Sequence, residues 1–182
     1  MNLVPKELFF TKGVGKSKEK LQSFEMALRN AHIAPFNLVR VSSILPPGAK
    51  IISEKQGIKK MHPGQITFVV LADIATNEPN RLIAASVGIA QPLDKTRYGY
   101  LSEHHCYGLT DSGAGEYAED LAASMLASTY GMDMDSDVKY DKKSEIWKIN
   151  NVRVRTRNVT QSAIGDKKGL WTTVVAAAVL IL

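Results

Sequence analysis

The stretch NLVRVSSILPPGAKI, residues 37–51, decides how the rest of the chain is read. It runs as an apolar strand pattern, meets Ser42 and Ser43, and then reaches Pro46 and Pro47. Proline has no N–H to give to a ladder, so the strand is expected to stop there. The result is a serine pair held at the end of a strand, and the surrounding sequence must supply its use.

Outward from this stretch, short β patterns recur in LFFTKGV, ITFVVLADI, RLIAASVGIAQ, YGYLSEHHCYG, WKINNVRVRTRNV and the apolar run that closes the sequence. FNLVRVSSI reads as one strand among them, and the patterns together give about seven strands. Two segments read helical. SKEKLQSFEMALRNAHI puts Leu21, Phe24, Leu28 and Ala31 on one face, with Ser17 as its expected cap. GEYAEDLAASMLASTYGM does the same with Tyr117, Leu121, Met125 and Leu126, and stops at Gly131. The helices are few and do not alternate strictly with the strands, so the expected class is α+β, a sheet-rich sandwich with helices outside.

The chain has 182 residues, 45% of them apolar, which suits a single domain, 1–182, with a real core. A net charge of +5 is mild and spread along the chain, which favours solubility and does not make a polyanion-binding protein. With a lone cysteine, Cys106, no internal disulfide forms. The opening MNLVPKELFF lacks a basic region followed by a long apolar run, so the expected compartment is the cytoplasm. The closing WTTVVAAAVLIL suggests a membrane anchor, but its uninterrupted run, residues 174–182, falls far short of the roughly 20 residues a spanning helix needs. A buried final strand is expected instead, and no membrane partner.

Several motifs imitate known chemistry. FFTKGVGKS ends like a phosphate loop, yet that pattern needs a glycine five residues before Gly15, where Phe10 stands. The stretch therefore reads as a strand-to-helix turn. Asp133, Asp135 and Asp137 are spaced as in a calcium loop, but Val138 and Ser144 occupy the positions that need glycine and glutamate, so a solvated acidic turn is expected. His104, His105 and Cys106 are consecutive, and neighbours on a strand face opposite ways, so they do not converge on one metal and no metal is expected. Arg153, Arg155 and Arg157 share a strand face, expected to be solvated or at an interface, with no nucleic-acid partner.

Taken in order, FFTKGVGKSKEKLQSFEMAL, FNLVRVSSILPPGAKI, GYLSEHHCYG and QSAIGDKKGLWTTVVAAAVLIL resemble the pyruvoyl-dependent arginine decarboxylases, over essentially the whole chain. The resemblance implies a four-layer αββα sandwich of the histidine-decarboxylase-like pyruvoyl enzyme fold, assembled as a homotrimer with active sites near the protomer boundaries. It implies that the chain cuts itself between Ser42 and Ser43 into a short subunit, 1–42, and a long one, 43–182. Ser43 would become a pyruvoyl group that takes the substrate amine as a Schiff base and accepts the electrons released with CO₂. Processing needs a backbone in attack geometry and a donor for an oxyanion, and the resemblance gives Asn37 a part in it. Glu103 matches the family's proton donor and stands in an otherwise apolar and aromatic strand, which suits an acid of raised pKa. Glu25 matches the acidic residue that grips the guanidinium, where some relatives carry aspartate.

The expected activity is therefore conversion of L-arginine to agmatine and CO₂, with a self-made pyruvoyl cofactor and no metal. Two readings compete with it. The same cofactor could act on another amino acid, and the pocket length at Glu25 separates that case. An unprocessed, catalytically silent trimeric binding protein is the other, marked by an intact Ser42–Ser43 bond.

Overall fold

A computed structural model of the protein describes residues 3–132, 138–141, 146–149 and 152–182. The acidic run with Asp133, Asp135 and Asp137 falls outside the described residues. The elements run in the order β1 (Glu7–Ser17), α1 (Lys20–Asn30), β2 (Asn37–Arg40), β3 (Ile44–Leu45), β4 (Lys50–Ile51), α2 (Glu54–Ile58), β5 (Ile66–Thr76), β6 (Leu82–Pro92), β7 (Gly99–Tyr107), α3 (Asp111–Ser128), β8 (Val138–Asp141), β9 (Ile146–Ile149), β10 (Val152–Ile164) and β11 (Trp171–Ile181). The class is α+β, with two sheets and few helices, as the patterning predicts.

One sheet has five strands in the order β2-β5-β11-β1-β4, and the other has six in the order β3-β7-β6-β10-β9-β8. Period-2 alternation gives each central strand two apolar faces to bury. Leu8, Val70, Ala176 and Leu180 of the first sheet meet Ile83, Val87, Ile89 and Leu101 of the second in one cluster. On its other face the five-stranded sheet packs Phe9, Val69, Val175 and Val179 against Ala27 and Ala31. The six-stranded sheet packs Ala90 and Val154 against Ala122 and Leu126 of α3. The closing apolar run is the buried strand expected of it: β11 lies between β1 and β5. No helix of the described residues is long and apolar enough to cross a membrane.

Four expectations need correction. FNLVRVSSI is two strands in different sheets, β2 paired parallel to β5 and β3 paired antiparallel to β7. WKINNVRVRTRNV is likewise two, β9 turning back onto β10 with Ile149 opposite Val152. The helical faces hold in part: Phe24, Leu28 and Ala31 of the first and Leu126 of the second pack onto the sheets, but each face extends toward small side chains rather than to its first large one. Leu21 is 79% exposed while Ser23 and Ala27 are buried, and in α3 Tyr117 is 53% exposed while Ala114, Ala118 and Ala122 are fully buried. Small residues let a helix approach the sheet closely, and that close approach outweighs the size of any one apolar side chain. Ser17 is not the cap of α1: Glu19 holds that position without a side-chain bond, and Ser17 donates to Gln22 Oε1 at 2.6 Å.

The pseudo-phosphate loop has a packing explanation. A Cβ on Gly13 would sit 2.2 Å from Ala27 O, and one on Gly15 would sit 2.2 Å from Ser23 O. The glycines exist because α1 lies directly on β1.

Candidate active site

The Ser42–Ser43 bond lies where the chain passes from one sheet to the other. On the near side, β2 runs beside β5, with Asn37 opposite Ile66 and Arg40 opposite Val69. Arg40 is fixed at the end of β2 by an ion pair to Asp73 and a hydrogen bond to Leu71 O at 3.3 Å. The ladder reaches one residue further, Val41 N–H donating to Val69 O at 3.1 Å, and then Ser42 departs. On the far side β3 joins the edge of β7, with Ile44 opposite Tyr100 and Leu45 opposite Gly99. Leu45, 1% exposed, anchors that short strand in the inter-sheet core. Burying such a side chain is worth roughly 1.5–3 kcal/mol, enough to hold a strand of this length in place. Gly99 makes the approach possible: a Cβ there would lie 2.2 Å from Ala90 O and 3.1 Å from Leu45 Cδ2.

This passage grips Ser43 from two directions. Its carbonyl accepts the Leu101 N–H at 2.7 Å. Its hydroxyl donates to Glu103 Oε2 at 2.9 Å. Pleating does the rest. Leu101 and Glu103 alternate with Ser102 and His104, whose side chains turn toward α3: Ser102 donates to Ala118 O at 2.6 Å, and the His104 ring lies 4.3 Å from that of Tyr117. Glu103 therefore shares a face with the buried Leu101 but lies at the rim, where the single chain leaves it exposed. His104 is on the wrong side to assist it. Burial, with His105 as the second cause, pushes the His104 imidazole below its ordinary pKa. Beside Ser42 opens a cleft of about 510 Å³, lined by apolar side chains that include Val41, Ile44, Pro46 and Phe68.

Two sequence-predicted residues lie elsewhere. Asn37 begins β2, and its amide donates to Gly64 O at 2.8 Å. Five residue steps lie between Asn37 and Ser42, roughly 16 Å at the rise of a strand. Glu25 is on α1, which lies against β1 and β11, and its carboxylate accepts from Arg29 Nε at 2.5 Å. A single chain thus brings together Ser42, Ser43 and Glu103, but not Asn37 or Glu25.

A hydroxyl on a carboxylate, at a junction fixed on both sides, is a site in which a serine can be transformed in place. Comparison with known proteins places the chain in a family. The family model for pyruvoyl-dependent arginine decarboxylase (PvlArgDC) matches residues 7–182. A probable pyruvoyl-dependent arginine decarboxylase of Chloroherpeton thalassium is 58% identical over 181 residues, covering 100% of both chains. The pyruvoyl-dependent arginine decarboxylase of Nitrosopumilus maritimus is 54% identical over 182 residues, again covering 100% of both. That of Thermoplasma volcanium is 51% identical over 179 residues, 98% of this chain and 97% of its own. This chain belongs to the pyruvoyl-dependent arginine decarboxylase family.

The cofactor of that family is a pyruvoyl group, and the surroundings of Ser43 fit one. The carbonyl that would flank the keto group already has its donor in Leu101 N–H. The apolar cleft beside it gives room to an aliphatic stem. Sequence reading found the serines and Glu103 but not these backbone donors, because a main-chain N–H is present at almost every residue and becomes specific only through its position. The one sequence signal was Gly99, the residue whose missing side chain admits β3 to the edge of β7.

Proposed function

We propose that this protein decarboxylates L-arginine to agmatine and CO₂ after cutting itself between Ser42 and Ser43. The observation that carries this reading is the 2.9 Å bond from Ser43 Oγ to Glu103, at the sheet crossing of a chain that belongs to the family. Ser43 is the precursor of the pyruvoyl group, which supplies the electron acceptor for the pair released with CO₂. Glu103 keeps its carboxyl beside that position and delivers a proton to the former α-carbon of the substrate. The apolar walls formed by Val41, Ile44 and Phe68 exclude water from the reacting end and take the methylene stem of arginine. Asn37 aids processing from a distance by tying the start of β2 to Gly64, which sets the register that delivers Ser42.

The single domain, residues 1–182, forms a four-layer αββα sandwich in this reading, supported by the three apolar clusters between its sheets and helices. It works as a homotrimer. In support, Glu103 is exposed in one chain, as are the apolar Val39 and Ile44 on the two strands that flank the serine pair, and the cleft beside Ser42 has no carboxylate in its lining. A guanidinium needs one, and Glu25 of a neighbouring copy supplies it where protomers abut.

Intact mass spectrometry of the denatured protein, paired with an agmatine assay, tests the proposal. The expected result is a fragment ending at Ser42 and one beginning at residue 43, lighter by ammonia than a serine terminus, with agmatine formed from arginine. A single full-length mass together with no agmatine would overturn it.

A further inference from the structure

The carbonyl that self-cleavage must attack already has a donor. Ile44 N–H donates to Ser42 O at 3.0 Å, closing a three-residue turn around Ser43. Ser43 is not among the residues with positive φ, so this is the inverse form of the γ-turn, the common one at strand ends. We infer that the backbone N–H of Ile44 is the oxyanion donor of the cleavage step. The inference rests on the self-cleavage proposed above and adds the group that stabilises its transition state.

The step balances as follows. Ser43 Oγ attacks the Ser42 carbonyl carbon, and the π pair moves onto Ser42 O, which becomes an oxyanion. Collapse breaks the Ser42 C–N bond. The departing Ser43 nitrogen takes up the proton lost by the hydroxyl, leaving an ester between Ser42 and Ser43 Oγ and a free amine at residue 43. The ester then loses the Ser43 α-proton and the Ser42 carboxylate by β-elimination. Water converts the resulting dehydroalanine to the pyruvoyl group and ammonia.

The first of these events puts charge on Ser42 O while the chain is still whole, and there the Ile44 N–H changes from donating to a neutral carbonyl to donating to an anion. Such charge-assisted bonds are about twice as strong as neutral ones, so the gain is specific to the transition state. Asn37, the side chain the sequence suggests for this role, is engaged with Gly64 at the other end of β2. The turn is also prevented from unwinding. Leu101 N–H holds the Ser43 carbonyl at 2.7 Å, and the register of Ile44 with Tyr100 fixes the residue that provides the donor.

The test deletes a single N–H. Cell-free synthesis with the α-hydroxy analogue of isoleucine at position 44 replaces the 43–44 amide by an ester and leaves every side chain in place. Mass spectrometry then follows the appearance of fragment 1–42, which differs from any 1–43 product of ester hydrolysis by one serine. Loss of one oxyanion donor is expected to slow cleavage by about 10²–10³-fold. Cleavage at the rate of the ordinary chain would overturn the inference alone, whereas failure of the ordinary chain to split would overturn the self-cleavage reading and the inference with it. A second measurement does not depend on the ester folding. In the Ser43→Ala precursor the Ile44 amide is expected to exchange its hydrogen much more slowly than in an unstructured peptide, and exchange at the unstructured rate would also overturn the inference.

Discussion

β2 and β3 flank the same peptide bond and are held in different ways. β2 has four residues, a parallel ladder to β5 that Val41 extends, and an ion pair at its end. β3 has two residues, an antiparallel pairing with the edge of β7, and one buried anchor in Leu45. The first is a fixed support and the second is a short arm laid against the strand that carries Glu103. The difference teaches where the proposed chemistry would reside: the side before the bond would deliver a carbonyl, while the side after it would carry the nucleophile, its turn and its acid.

Substitutions can break or sharpen that contrast. The largest effect is expected from Ser43→Ala, which removes the proposed nucleophile and cofactor precursor together; the protein should remain full-length by mass and form no agmatine. Glu103→Gln comes next. It should leave both fragments in the mass spectrum yet lower kcat about 10²–10⁴-fold, the usual contribution of a positioned acid or base, and stopped-flow or single-turnover assays would show the loss in chemistry rather than binding. Glu25→Ala, on the β2 side of the cut, should raise KM for arginine by about 10–100-fold, since a hydrogen bond to a charged group contributes roughly 1.5–3 kcal/mol, with cleavage unchanged on a gel. Gly99→Ala should force β3 off β7 and cost about 1–3 kcal/mol in a denaturant titration, with slower cleavage as a second sign. Ser42→Ala should do least. Its carbonyl stays, so fragment masses apart from the lost oxygen, and turnover, should match the unaltered protein.

The sequence revealed the strands and the class because long apolar runs such as β5, β6 and β11 are those a strand needs when both of its faces are buried. The resemblance singled out Ser43 and Glu103, and the structure sets their side chains 2.9 Å apart. The break of FNLVRVSSI into two sheets was hidden, since Val39 and Ile44 look alike as strand residues and only their partners, Phe68 and Tyr100, differ. The buried faces of α1 and α3 were placed correctly at Phe24, Leu28, Ala31 and Leu126 but misjudged at Leu21 and Tyr117, for a related reason. Apolar size points to Leu21 and Tyr117, while close contact with a sheet selects Ala27 and Ala118. Glu103 is also less enclosed than its strand suggested, because β7 continues past the cover of the other sheet.

β1 runs inside the five-stranded sheet between β11 and the short β4, matched to β11 from Glu7 opposite Ile181 to Ser17 opposite Trp171. It lies on the short side of the proposed cut. A chain cut at Ser42 would therefore fold once as one molecule and unfold as two, and the second folding would need a collision between unlike pieces where the first needed only a loop to close. Maturation would act as a ratchet: a heated and cooled mature protein should recover poorly on dilution, while its Ser43→Ala precursor can retrace its path.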